Sequence, residues 1–252
     1  MAEPLGRVEK PPAERFRLGK KLYLVPLVYL NEDAPPEYRE RCERYWQQVE
    51  GQLGNLETKI GKVDWVYHES VYESGEAGVK VVEKINPASY RVVRGKCDAG
   101  AVLEAIEGKD LVEEAVDWER CILLGFVSER VASKVLELYS EASKKRYEFM
   151  AKRISETLQG NEAGLLLIRE GHKLQFPSDV EVFSVFPPAL DEIHRWVRDR
   201  AWGVQGGAKV EKEEPEAREE AEVGREDAKA TKGAKARKKR PRQGRKRPEA
   251  DS

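Results

Sequence analysis

No apolar run in this chain approaches the roughly 20 residues that a bilayer crossing requires, which excludes an integral helical membrane protein. The opening stretch MAEPLGRVEKPPAERFRLGKK carries no apolar h-region, so it does not read as a secretory signal. Together these absences lead us to expect a cytoplasmic location and no membrane partner. Cysteine is scarce: Cys42, Cys97 and Cys121 are odd in number, widely spaced and form no CxxC pair. They read as reduced thiols rather than a disulfide frame or a zinc site. There are only three histidines, so any site built on imidazole draws on His68, His172 or His194. A P-loop, a Rossmann GxGxxG and a Gly-x-Ser-x-Gly elbow are all missing, as is any internal repeat.

What is present is charge. Acidic and basic residues make up 36% of the 252 residues against 40% hydrophobic ones, and the mean hydropathy is −0.68. The net charge of −1 hides a strong segregation. Residues 211–227 carry nine acids and three bases, whereas 228–248 carry eleven bases and no acid. A segment so charged and so poor in large apolar residues does not bury enough surface to offset the entropy of ordering. The expected organisation is a disordered arm over 1–17, one α/β domain over 18–204 with a helical insertion at about 97–160, and a disordered charged tail over 205–252. Within that tail Lys235, Arg237, Lys238, Lys239, Arg240, Arg242, Arg245, Lys246 and Arg247 would neutralise phosphates of RNA or DNA without sequence preference. No aromatic residue interleaves them, so base stacking is absent. A solubilising extension without a partner is the plainer reading.

Local patterns give the elements. LYLVPLVYL (22–30) is long enough for a strand, and Pro26 within it requires an edge, a bulge or a strand end. After Pro35-Pro36, the residues Tyr38, Cys42, Tyr45, Val49, Leu53, Leu56 and Ile60 recur at helical steps. Gly51 and Gly54 weaken that helix by up to about 1 kcal/mol each relative to alanine. Val63 to Tyr67 alternates as a strand does, which directs His68 away from the core face. A helix over about 75–86 stops before Pro87, and Tyr90 to Val93 suggests a short strand. Cys97 to Leu158 reads as almost wholly helical, broken near Gly108 and Gly125, with Ser128 an N-cap and ILLGF (122–126) a possible strand. Strands at 165–168 and 180–185 and a helix over 188–200 finish the domain. Strand and helix alternate at both ends, which predicts a mostly parallel sheet flanked by helices.

Three candidate strands end in polar or aromatic groups: Tyr29, His68-Glu69, and the turn Arg169-Glu170-Gly171-His172. In a parallel sheet these ends share one edge, where ligands bind in open α/β folds. Glu69 with His172 forms a pair suited to holding a divalent metal or to acid–base work, and Arg146 on its helix offers a fork for an anion. Each residue also has a plainer reading. His172 is then a turn residue, Glu69 a solvated strand end, Arg146 part of a solvated basic face, and His194 a member of a charged helix. Trp196 and Trp202 cover the core end, and Glu104, Glu107, Glu113 and Glu114 form a solvated acidic surface.

The run R146-Y-E-F-M-A-K-R-I followed by A-G-L-L-L-I-R-E-G-H resembles the C-terminal signature of the TraB/PrgY proteins (pheromone-shutdown, GumN, TIKI), which are related in fold to the ChaN and erythromycin-esterase-like groups. The resemblance covers roughly residues 20–186. It implies a metal-dependent hydrolase or a descendant of one, with Glu69, His172 and Arg146 as catalytic residues and Glu69 and His172 as metal ligands. Pro26 and Tyr29 stand where the family's first motif has glycine and histidine, and Arg169 replaces the first glycine of its second. Two functions are therefore expected in competition. One is a weakened or altered metal-dependent hydrolase, and the other is a non-catalytic adaptor or nucleic-acid- or ribosome-associated protein that uses its basic tail. Substrate, metal and oligomeric state are not legible.

Overall fold

The computed structural model describes residues 16–31 and 33–206, with side chains described through Arg200. The elements are β1 (Lys20–Pro26), α1 (Pro36–Lys59), β2 (Trp65–His68), α2 (Gly75–Ile85), α3 (Pro87–Asp98), β3 (Val102–Leu103), α4 (Lys109–Leu123), α5 (Glu129–Thr157), β4 (Ala163–Ile168), β5 (Val180–Ser184) and α6 (Pro188–Gly206). The strands form one sheet in the order β3-β2-β4-β1-β5, and every pairing is parallel. This is the α/β class that the alternating pattern predicts. No described helix is long and apolar enough to cross a membrane. The expected arm over 1–17 lies almost wholly outside the described residues, and so does the charged tail.

Helices cover both faces of the sheet. On one face Tyr23, Val25, Val66, Leu165 and Leu167 pack with Tyr45, Val49 and Leu53 of α1, Val82 of α2, Val92 and Val93 of α3, and Leu190 of α6. On the other, Leu22, Tyr67, Leu166 and Ile168 pack with Met150 and Ile154 of α5 and with Ile106 and Leu158. All six residues of β4 are buried, as expected for a central parallel strand closed on both sides. Gly164 is required there, because a Cβ at that position would lie 2.7 Å from the Tyr67 ring and 2.8 Å from Leu22.

Two-sided cover corrects the reading of His68. Alternation directed it to solvent, yet it is 0% exposed, because α3 closes the face on which it lies. Tyr90 to Val93 is a second correction, being helix rather than strand. The Asn86 side chain accepts a hydrogen bond from the Ser89 amide (3.2 Å), and Pro87 occupies the first turn. Both favour a helix start. The span expected to be almost wholly helical contains β3, whose two residues pair with Trp65 and Val66. ILLGF belongs to the end of α4 and its turn. Pro26 closes β1, which resolves its three alternatives as a strand end. Ser128 occupies the N-cap of α5 without a side-chain cap bond.

At the amino ends of the strands, Lys21 is 1% exposed. Its ammonium donates to the carbonyls of Arg17 (2.9 Å), Gly19 (3.0 Å) and Asn161 (3.1 Å). It ties the chain entering β1 to the turn before β4.

Candidate functional site

The carboxyl ends of β1, β2 and β4 adjoin one another, and from them come the three groups singled out in the sequence. His68 pairs with Leu167 in the β2–β4 register, and the Glu69 amide donates to the Leu167 carbonyl at 2.9 Å. Glu69 therefore leaves the sheet level with the last residue of β4, directly before Arg169.

Glu69 is 1% exposed, so the solvated-strand-end reading does not hold. Its Oε1 accepts from the Arg169 Nε (2.6 Å) and from an Arg146 terminal nitrogen (3.2 Å), and its Oε2 accepts from the Arg169 backbone amide (2.7 Å). Arg146 is 4% exposed and faces inward from α5, not outward with Lys144 and Lys145. Its Nε donates to Oε2 of Glu107 at 2.8 Å, and a second nitrogen donates to the other oxygen of that carboxylate. Glu107 in turn accepts from the Ser70 amide at 3.0 Å. Arg169 extends the chain to Glu119 at 3.1 Å. Three carboxylates and two guanidiniums thus give the cluster a formal charge of −1.

Mutual field sets the protonation here. Burial opposes the charged form of Arg146, but hydrogen bonding to Glu107 and the charges of Glu107 and Glu69 outweigh it, so its pKa is raised. In Arg169 burial also opposes the charge, and Glu69 followed by Glu119 overcomes it. The Tyr29 phenol lies within the same field. Burial first, then the negative charge of Glu69, push it up to about 12 against the opposing arginines. Ser70 adopts a left-handed backbone (φ 66), an uncommon conformation for a residue with a side chain. It sits where β2 turns away and its amide meets Glu107.

His172 reaches the same rim, but its hydrogen bond goes to the Leu174 amide, while those of Glu69 go to Arg146 and Arg169. Its Nδ1 accepts from the Leu174 amide at 3.3 Å, and its ring meets Phe176 edge to face at 5.9 Å. Burial lowers its pKa, with Glu69 opposing. The ring is then neutral, with its proton on Nε2, and acts as a hydrogen-bond donor rather than a base.

His68 underlies this rim. Its Nδ1 lies 2.6 Å from the Glu69 carbonyl oxygen and its Nε2 3.2 Å from the Ser89 hydroxyl. Asn86 continues the buried chain to the Val28 carbonyl at 3.2 Å. Burial lowers the His68 pKa to about 4, with the bond to the Glu69 carbonyl opposing. A neutral ring that donates from Nδ1 and accepts from Ser89 satisfies both contacts. His68 is a positioning residue for Glu69. His194, on α6, pairs with Glu170 at 2.6 Å and links α6 to the same turn.

Three cavities meet at the Arg169–His172 turn. A small one of about 130 Å³ is lined by Pro26, Arg169, His172 and Phe186. A larger one of about 630 Å³ lies between the β1–α1 loop and α6, lined by Tyr29, Tyr38, Glu170, His194 and Trp196. The third, about 620 Å³, separates α5 from the β4–β5 loop and is lined by Tyr139, Ser143, Lys144, Tyr147, Gly171 and Lys173. Gly171 has φ 73, so the turn that divides these cavities depends on a residue free to adopt that conformation.

The donor set does not fit a metal ion. Both oxygens of Glu69 are committed to arginine donors, and among the described residues no group of three or more His, Cys, Asp or Glu side chains is placed to hold one. Glu107, Glu119 and Arg169 are the cluster members that sequence reasoning did not place in the site: acids in a helical, charged stretch look like surface, and Arg169 read only as a turn residue. One local signal existed. Glu107 follows Ile106 and precedes Gly108, at a break between elements rather than on a helix face. Glu104, read together with Glu107, pairs with Arg153.

Comparison with protein-family models, with curated proteins and with solved structures finds no significant match to this chain.

Proposed function

We propose that this chain is a TraB/ChaN-like α/β domain whose sheet rim binds a small anionic, oxygen-rich ligand, in place of metal-dependent hydrolysis. One observation carries the reading: the Glu69 carboxylate, the natural metal ligand or base of such a site, is saturated by Arg146, the Arg169 side chain and the Arg169 amide. Saturation of this kind makes a carboxylate part of the framework. The remaining groups around the turn include the His172 Nε2–H, the phenols of Tyr29 and Tyr147, and the ammoniums of Lys144 and Lys173, alongside the carboxylates of Glu148 and Glu170. The cavity of about 620 Å³ brings Lys144, Tyr147 and Lys173 together, and a concave site with a few such donors suits an oxyanion ligand.

A thermal-shift series tests this. Phosphate, citrate and a nucleoside monophosphate are expected to raise Tm, and Lys173→Ala to reduce that rise. Millimolar Mn²⁺, Zn²⁺ and Co²⁺ are expected to leave Tm unchanged. A metal-dependent rise that His172→Ala abolishes would reinstate the hydrolase reading.

The basic stretch 228–248 supports a second reading, salt-sensitive and sequence-independent association with RNA or DNA. It lies outside the described residues. Retention on nucleic acid at about 50 mM salt that survives deletion of 206–252 would refute it.

A further inference from the structure

Trp46 of α1 is 5% exposed. Among the described residues, its indole nitrogen is the one buried side-chain nitrogen or oxygen without a hydrogen-bond partner. The other buried polar groups are matched: Lys21 by carbonyls, His68 by Ser89, Arg146 by Glu107 and Glu69. A buried donor without an acceptor is rare in a folded chain, because it gives up water and gains nothing in exchange. The Trp46 Nε1–H needs an acceptor that no neighbouring side chain or carbonyl supplies.

That indole lines a cavity of about 340 Å³ between α1, α3 and the β1–α1 loop. It lies on the sheet face opposite α5, and its size suits a small ligand. Leu30, Cys42, Pro87 and Ala88 give it apolar walls. Pro87 and Ala88 also begin α3, and the amino end of a helix favours negative charge.

The polar groups of the cavity are cationic on balance. Arg39 comes from α1 and Arg91 from α3, with the Glu43 carboxylate and the Asn31 amide beside them, for a formal charge of +1. Among the described residues, neither Arg91 nor Glu43 is engaged in an ion pair. Arg91 differs in this from Arg146 and Arg169, which carboxylates already hold.

We propose that this cavity is a ligand site separate from the rim, and that it takes a small monocarboxylate with an apolar body. The body rests against Leu30, Cys42 and Pro87. The carboxylate faces Arg91 and accepts the Trp46 Nε1–H. A formal +1 matches a monoanion, whereas the apolar walls and Glu43 both oppose a multiply charged anion such as phosphate or citrate.

Proton–nitrogen correlation spectra of the ¹⁵N-labelled full chain test this with benzoate as the probe. The chain has five tryptophans, and the Trp46 indole signal is the one missing from Trp46→Phe. Triple-resonance assignment identifies it where that variant does not fold. Millimolar benzoate is expected to move the Trp46 indole proton downfield and to saturate, whereas benzamide, its neutral counterpart, leaves the signal in place. Arg91→Ala, at an exposed position, is expected to weaken benzoate binding by about tenfold, as loss of a charged hydrogen-bond partner does. A Trp46 indole that benzoate does not move has water as its acceptor, and overturns the proposal. So does an equal shift with benzamide, or undiminished binding in Arg91→Ala. A shift abolished by Lys173→Ala overturns it as well, because the effect then belongs to the rim.

Discussion

Arg146 and Glu69 form a 3.2 Å ion pair in which both side chains are almost wholly buried, although 77 residues separate them in the chain. One comes from the middle of α5 and the other from the end of β2, so the contact exists only when α5 lies across the sheet. The pair is thus part of what fixes that helix over the rim.

Removing one partner of a buried charge pair leaves the other desolvated and uncompensated, which costs about 3–5 kcal/mol. Glu69→Ala is expected to destabilise the chain by that order, measured as the loss in urea-unfolding free energy. Glu69→Gln, which keeps an acceptor for the Arg169 amide, is expected to cost less.

The two arginines should not be equivalent. Arg146 is bound bidentately to Glu107 and is buried, whereas the Arg169 side chain is 35% exposed. Arg146→Lys loses the planar fork and is expected to cost more than Arg169→Lys. In a double-mutant cycle, Arg146 and Glu107 should couple by about 1–3 kcal/mol, against less than about 1 kcal/mol for the partly exposed Arg169 and Glu119.

His68 predicts a pH dependence with a definite sign. Its folded pKa of about 4 lies below the ordinary 6.5, so the unfolded chain takes up the proton first as pH falls. Stability is then full above about pH 6.5 and is lost between there and about pH 4, by about 3 kcal/mol in all. Urea titrations at pH 7, 6 and 5 are expected to show this slope in the wild type and a much flatter one in His68→Gln. Equal slopes would remove His68 from the account.

The glycines divide by what surrounds them. A Cβ at Gly51 or Gly54 in α1 meets nothing within 4 Å, so Gly51→Ala and Gly54→Ala are each expected to stabilise by up to about 1 kcal/mol. At Gly164 the new methyl would collide with the Tyr67 ring, and at Gly78 with the Glu73 carbonyl oxygen and a methyl of Leu103. Both are expected to destabilise by about 1–3 kcal/mol, as overpacking does, read as a fall in Tm.

Residues that answer to local rules were legible in the sequence. The α1 stripe from Tyr38 to Ile60 and the burial of Leu165 to Ile168 follow from periodicity. Pro26 ending β1 follows from its missing amide. The gathering of Glu69 and the Arg169–His172 turn at one rim also follows from the pattern, since parallel strands end on one edge, whereas Arg146 comes from a helix whose packing the pattern did not place. Tyr90 to Val93 misled because an aromatic residue is followed closely by the β-branched pair Val92 and Val93, while the deciding signal was the Asn86-Pro87 cap before them. β3 has only two residues, too few for any periodicity to register.

By itself the sequence determined the alternation of elements, the parallel sheet and the edge at which polar groups gather, because hydrophobic spacing and turn chemistry act within a few residues. Only the tertiary structure decided what those groups do there. Glu69 is neutralised by Arg169 and Arg146, Glu107 is drawn inward by Arg146, and His68 is enclosed beneath α3. The physical reason is that a charge is stable away from water only when another charge, often distant in the chain, is brought against it, and local spacing carries no record of that partner.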